Sequence, residues 1–255
     1  MTKGDGKKYG GFGELGPDRV LHLVERGLGR ECSNLFRPLN SYINRVFEVE
    51  TRDGQRLIAK FYRPGRWTAA AIGDEHRFLR QLADEEIPVV APLTLAGGKT
   101  LAEDGDLLYA LFPKCGGRSR DEFDEEGWLQ LGRLLGRIHA VGSRSRAAKR
   151  TVIGPGASSR EQLEYLRLCP SVPEDLREEL RRTIESILAT ITPLFAAVKN
   201  QRIHGDCHFS NILERPGEGF FLIDFDDMAM GPAVQDLWLL LPGTPGASAY
   251  ELELL

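Results

Sequence analysis

Apolar positions along the chain keep one period, then another. Val20, Leu21, Val24 and Leu28 recur at helical spacing behind Pro17 and Asp18, and Gly29 follows the last of them, so a helix is predicted there. From Leu35 to Arg63 the pattern becomes strand-like: INRVFEVE alternates, Asp53-Gly54 marks a hairpin turn, and RLIAKFYR returns. Trp67 to Glu86 turns helical again, with Ile72, His76, Leu79 and Leu82 on one face. Pro88 and the turns Gly97-Gly98 and Asp104-Gly105 punctuate further strands, ending in DLLYALFP. Beyond the glycine-bearing stretch Lys114 to Arg120 the period is mostly helical. Leu131, Leu134, Leu135 and Ile138 line one face, and Pro173 to Val198 reads as a long helix broken near Pro193. ILERPGEGFFLID predicts a short hairpin, and AVQDLWLLL the start of a buried helix. The basic stretch Ser143 to Arg150 reads as a solvated surface. The expected organisation is a flexible leader over 1–16, a β-rich N-lobe over 17–115 with an antiparallel sheet plus helices, and a helical C-lobe over 116–255.

Composition narrows the function classes. The net charge of −4 argues against a dedicated binder of nucleic acid or of an anionic membrane. No run of 18 apolar residues marks a membrane helix, and the first residues lack the apolar stretch of a secretory signal. Cysteines at 32, 115, 169 and 207 form no CxxC pair, which suggests reduced thiols in a cytoplasm and no zinc site.

The chemistry concentrates in RIHGDCHFSNILERPGEGFFLIDFDD, residues 202–227. Asp206 precedes Asn211 by five residues, and Asp224 follows after a hairpin. Phosphoryl transfer needs a group that orients or deprotonates the attacking hydroxyl and oxygen ligands for Mg²⁺ on the ATP phosphates. The Asp-x-x-x-x-Asn spacing is that of a kinase catalytic loop, and Asp224 stands where a metal-binding Asp would open Asp-Phe-Gly, although Asp226 replaces the glycine. Asp226 and Asp227 read as further ligands or as structural acids. Upstream, Lys60 sits in the strand segment IAKF as a candidate for the α/β-phosphates, with Glu75 on the next helix as its partner and Asp74 as the alternative. LNSYINRV replaces a glycine-rich loop; Ser41 and Asn44 are its polar donors. The nucleotide hinge is expected at Phe112 to Gly116. His139, His204 and Cys207 read as structural, His208 as a loop-orienting or phosphate-binding group, and Asp236 as an anchor for the catalytic-loop backbone.

LNSYINRVFEVE, KFYRPGRW, DEHRFL, DEEIPVVAPL, HGDCHFSNIL, LIDFDD and GPAVQDLWLLLPG together resemble the bacterial stress response kinase A family, related to aminoglycoside phosphotransferases and choline kinases. The resemblance implies an α+β, bilobal, protein-kinase-like fold and a cytosolic serine/threonine protein kinase that phosphorylates itself in a stress response. It implies Asp206 as proton acceptor, Asn211 and Asp224 as magnesium ligands and Ser41 at the ATP site. Members of that family continue through further helices after the Leu-Leu-x-Gly segment, so the C-lobe is expected to be truncated here. Residues 233–241 are then expected to be abnormally exposed, with little of GTPGASAYELELL packing back. The same catalytic core serves small-molecule hydroxyl kinases of the aminoglycoside, choline or homoserine type. A nucleotide-binding pseudokinase or an inactive fragment is the non-enzymatic alternative.

Overall fold

The computed structural model describes residues 11–13, 15–241, 243 and 245–255, with side chains left aside at 157, 158 and 245–247; most of the expected leader falls outside this description. In chain order the elements are α1 (Pro17–Leu28), β1 (Cys32–Leu39), β2 (Arg45–Thr51), β3 (Arg56–Phe61), α2 (Ala69–Asp84), β4 (Ala102–Asp104), β5 (Leu107–Pro113), α3 (Glu125–Gly142), α4 (Ala157–Leu168), α5 (Arg177–Phe195), β6 (Gln201–Ile203), β7 (Ile212–Arg215), β8 (Gly219–Leu222), β9 (Ala229–Gly231) and α6 (Pro245–Leu254). They form two compact units. The first runs through Phe123 and takes in Phe209–Asp226; the second comprises Asp124–His208 and Asp227–Leu255.

The first unit is built on a five-stranded antiparallel sheet in the order β1-β2-β3-β5-β4. Alternation in β2 and β3 sends Phe47, Val49, Leu57, Ala59 and Phe61 into a core with Val20, Leu23 and Val24 of α1. Phe61 stacks on Tyr109, whose hydroxyl donates to the carbonyl of Leu23 at 2.8 Å. Pro17 opens α1, and Gly29 closes it in the left-handed conformation at φ 69°. Thr68 caps α2 by accepting from the amide of Ala71 at 3.1 Å. The β7–β8 hairpin belongs to this unit as well. Leu222 donates its amide to the carbonyl of Pro88, and Arg118 exchanges backbone bonds with Glu214.

In the second unit Asp124 caps α3, accepting from the amide of Gly127 at 2.9 Å, and α3 buries Trp128, Leu131, Leu134, Leu135 and Ile138. Strands β6 and β9 pair antiparallel. These two strands escape a reading of local pattern, since three-residue strands exist only through their partner.

Three sequence expectations give way here. AVQDLWLLL forms no buried helix: Ala233–Asp236 is a 3-10 turn, Val234 and Trp238 are exposed while Leu240 is buried. The exposure expected over 233–241 is thus confined to part of the segment. The carboxylate of Asp236 must face inward, as the site shows, and that fixes which side chains of this short turn face solvent. The basic stretch is not wholly solvated, because Ala147 and Arg150 are buried and the amide of Ala147 donates to Sδ of Met230. Finally, the end of the chain does pack back. Helix α6 lies against α3 so closely that a Cβ on Gly132 would meet the carbonyl oxygen of Leu255 at 2.8 Å, and the Tyr250 hydroxyl reaches Glu125 at 3.3 Å.

Candidate active site

In the first unit the site is assembled around Lys60. Strand β3 turns this lysine to the face opposite Ala59 and Phe61, where it is buried too, and its Nζ lies 2.7 Å from Oδ1 of Asp224 and 3.4 Å from Oδ1 of Asp226. Lys60 also sits over the ring of Tyr62, 5.2 Å from its centroid. Burial pulls the lysine pKa down, but the charges of Asp224, then Asp226 and Glu75, outweigh it and hold the pKa well above the usual lysine value. The lysine is therefore a fixed cation in a nest of three acids. Glu75 is buried on α2 and contributes to that nest, whereas Asp74 is turned to an ion pair with Arg77.

The hairpin β7–β8 explains how two distant sequence positions come together. Ile212 is registered against Leu222, and Ile223 donates its amide to the carbonyl of Asn211 at 3.0 Å. Asn211, at the end of a 3-10 turn, and Asp224, just past the hairpin, are thereby held at its open end. Asp224 adopts φ 60°, a conformation rare for a residue with a side chain, and its carboxylate is 51% exposed. Such strain is sustained only where neighbours over-determine it. Those neighbours are visible. Phe225 packs edge-on to Phe78, and Asp226 is buried with Oδ2 2.6 Å from Nη1 of Arg66. Arg66 was not singled out from the sequence; its only local signal is the turn RPGRW ahead of α2.

Ser41 lies in the turn between β1 and β2, half-buried. Asn44 is buried, and its Oδ1 accepts from the amide of Arg63 at 3.1 Å, so part of its capacity serves the fold. Phe112 is on β5 and presents its ring edge-on to His76.

In the second unit the loop that carries Asp206 is tied down by one buried carboxylate. Asp236 accepts from the amide of His204 at 2.9 Å and from that of Gly205 at 2.8 Å, and its Oδ2 lies 2.8 Å from Nε2 of His139. Burial favours the protonated acid, but the His139 hydrogen bond, the neighbouring His204 and the Gly205 amide prevail and hold Asp236 below the usual carboxylate range. His204 in turn accepts from the amide of Asp206 at 3.2 Å. These contacts agree with the structural reading of His139, His204 and Asp236. The Asp206 carboxylate is left 42% exposed, with Nε2 of His208 3.5 Å away. Cys207 is fully buried, and burial pushes its thiol pKa well up, so it is an unreactive packing group.

An exposed carboxylate on a rigid loop, and a buried lysine paired to a second, partly exposed carboxylate, are the parts that phosphoryl transfer requires. The comparisons agree. The family model described as the phosphotransferase enzyme family matches residues 36–253. Stress response kinase A of Escherichia coli (strain K12) is 38% identical over 244 residues, covering 95% of this chain and 73% of that protein. A serine/threonine protein kinase of Salmonella typhimurium (strain LT2) is 35% identical with the same coverage. Among solved structures, an amicoumacin kinase in complex with AMP-PNP, Ca²⁺ and Ami gives a TM-score of 0.73 at 22% identity, covering 88% of this chain and 67% of that one. A microcompartment-associated aminopropanol kinase gives 0.62 at 18% identity, with 87% and 73% covered. The five-stranded sheet and helices are those of the α+β, kinase-like fold expected from the sequence, and the chain belongs to the phosphotransferase enzyme family, within the group of the stress response kinase A proteins.

Proposed function

We propose that the protein moves the γ-phosphoryl group of ATP, with Mg²⁺, to a hydroxyl, and that this hydroxyl belongs to serine or threonine residues of proteins, its own included. The observation that carries the reading is the contact of Lys60 with Asp224, a buried cation meeting a half-exposed carboxylate 164 residues away. A site that must receive phosphates and a cation fits a buried lysine beside a half-exposed carboxylate on a strained backbone.

The oxygen donors fit a hard cation. Mg²⁺ uses one or two protein ligands and leaves the rest of its shell to phosphates and water. The Asp224 carboxylate and the Asn211 amide oxygen are such ligands, held by one hairpin. When bound, the ion supplies neutralisation of the charge on the phosphates. Lys60, kept protonated by its acids, holds phosphate oxygens of ATP. Asp206 orients the acceptor hydroxyl and takes its proton as the new oxygen–phosphorus bond forms and the bond to the ADP oxygen breaks. Asp236 fixes the backbone of that loop, and His208 limits the freedom of the Asp206 side chain. Ser41, Asn44 and Phe112 complete the nucleotide side in this reading. A cytoplasmic location fits the four free thiols.

A protein acceptor is supported by the name of the Salmonella relative. A small hydroxyl compound is the second reading, supported by the names of the amicoumacin and aminopropanol kinases. Incubation with Mg²⁺ and γ-labelled ATP decides between them. Label in the protein itself or in a basic model protein supports the first reading, and label only in a panel of amino alcohols the second. Nucleotide binding with no transfer to either would mean a pseudokinase and overturn both.

A further inference from the structure

Outside the site just described, the first unit carries a cavity of about 370 Å³ between the outward face of α2 and the turn at residues 97–101. Its wall is low where Ala69 and Gly73 come to the surface. Arg77 and Arg80 rise one helical turn apart from α2, and Lys99 faces them from the turn. Glu103 is the one acid among the lining residues. Arg77 is engaged by Asp74, but Arg80 and Lys99 form no ion pair among the described residues. The floor is rigid. His76 is buried, with Nε2 3.0 Å from the hydroxyl of Tyr62 and Nδ1 2.8 Å from Oγ1 of Thr100, which also lines the cavity.

We propose that this cavity binds a phosphomonoester. Arg80 and Lys99, which form no ion pair among the described residues, outnumber Glu103 and favour an anion, while Arg77 beside them is shared with Asp74. A phosphomonoester carries roughly −1.5 to −2 charges and three acceptor oxygens, and the guanidinium fork of Arg80 facing the ammonium of Lys99 matches that demand better than it matches a single carboxylate. The groove is wider than a phosphate group alone needs, which leaves room for the group attached to the phosphate. Two sources share this chemistry: a small phosphoester, and a phosphorylated serine or threonine on a protein.

The test is calorimetric titration of the full chain, saturated with Mg²⁺ and AMP-PNP so that the nucleotide site is filled. The titrants are a phosphoserine peptide, the same peptide unphosphorylated, and free phosphoserine. The expected result is saturable binding of the phosphorylated peptide and none of its unphosphorylated form. Affinity should drop at least about tenfold when Arg80→Glu and Lys99→Glu are combined, because attraction at both positions becomes repulsion. Both side chains are exposed, so the double variant keeps its melting temperature and its peptide-free phosphotransfer rate. Free phosphoserine binding as tightly as the peptide identifies a small phosphoester as the occupant; a tighter peptide identifies a protein segment. Absence of binding, equal binding of the unphosphorylated peptide, or unchanged affinity in the double variant overturns the proposal.

Discussion

A methyl group added at Gly205 would sit 2.1 Å from the carbonyl oxygen of Asp227, on a backbone at φ 87°. Gly54 has nearly the same angle, φ 86°, but open space around its Cα. The pair separates backbone strain from collision. Gly54→Ala should cost about 1 kcal/mol, the penalty for a left-handed residue alone. Gly205→Ala adds a clash with backbone that has no flexible end to yield, and should cost about 3 kcal/mol or more. Urea unfolding of both variants checks this, and equal losses would show that the 204–206 loop can relax. At the next residue, Asp206→Ala should lower the transfer rate about 10²–10⁴-fold, the usual worth of a positioned base. Nucleotide affinity should change little, since the proposed role of Asp206 is on the acceptor. Near-normal turnover would remove Asp206 from the mechanism. Lys60 and Asp224 were legible at this scale because motif spacing names them. The Arg66–Asp226 pair was not, since residues 160 positions apart leave no local pattern.

Elements were legible wherever their ends carry chemistry. Pro17 and Gly29 bound α1, Asp53-Gly54 joins β2 to β3, and the two runs flanking Pro216-Gly217 became β7 and β8. Apolar density misled where a polar demand overrode it. The segment after Pro232 is rich in leucine, yet Asp236 has to reach two backbone amides and a histidine, so a 3-10 turn forms and Trp238 is 58% exposed. Helix α5 is the opposite case. Its pattern is amphipathic and its existence was predicted, but none of its 19 residues is buried, and Ile187 and Leu194 are exposed. Helices draw most of their stability from packing an apolar face, so α5 should open at low free energy. Hydrogen exchange should therefore be faster by orders of magnitude across 177–195 than across β2, β3 and β5. Equal protection in the two regions would mean that α5 is covered in solution.

For the molecule as a whole, two buried carboxylates with depressed pKa values, one in each unit, bear on the response to acid. Glu48 on β2 has a side chain only 2% exposed and is met by Lys114 at 2.9 Å, by Arg56 at 3.3 Å and by Arg37. The hydrogen bond from Lys114 is the largest influence on it; burial opposes, and the remaining cations add to the depression, so its pKa lies below the usual value. Asp236 in the second unit is likewise depressed, burial being outweighed by His139, His204 and the Gly205 amide. A carboxyl whose folded pKa is below its unfolded one binds fewer protons when folded. Its stabilisation is present in full above the unfolded value, about 4.3 for Glu and 3.9 for Asp, and is lost as the pH falls through the folded value. The thermal midpoint should thus hold steady from pH 7 to 5 as far as these two groups are concerned, then drop below about pH 4. Glu48→Gln tests the assignment. It takes the anion from Lys114 and Arg37 and one of two from Arg56, which keeps Glu50, so it should lower the midpoint at pH 7, yet it removes one titrating group and should shrink the further drop between pH 5 and 3. A variant that melts lower at pH 7 but loses as much on acidification as the parent would exclude Glu48 as an acid-sensitive support of the sheet.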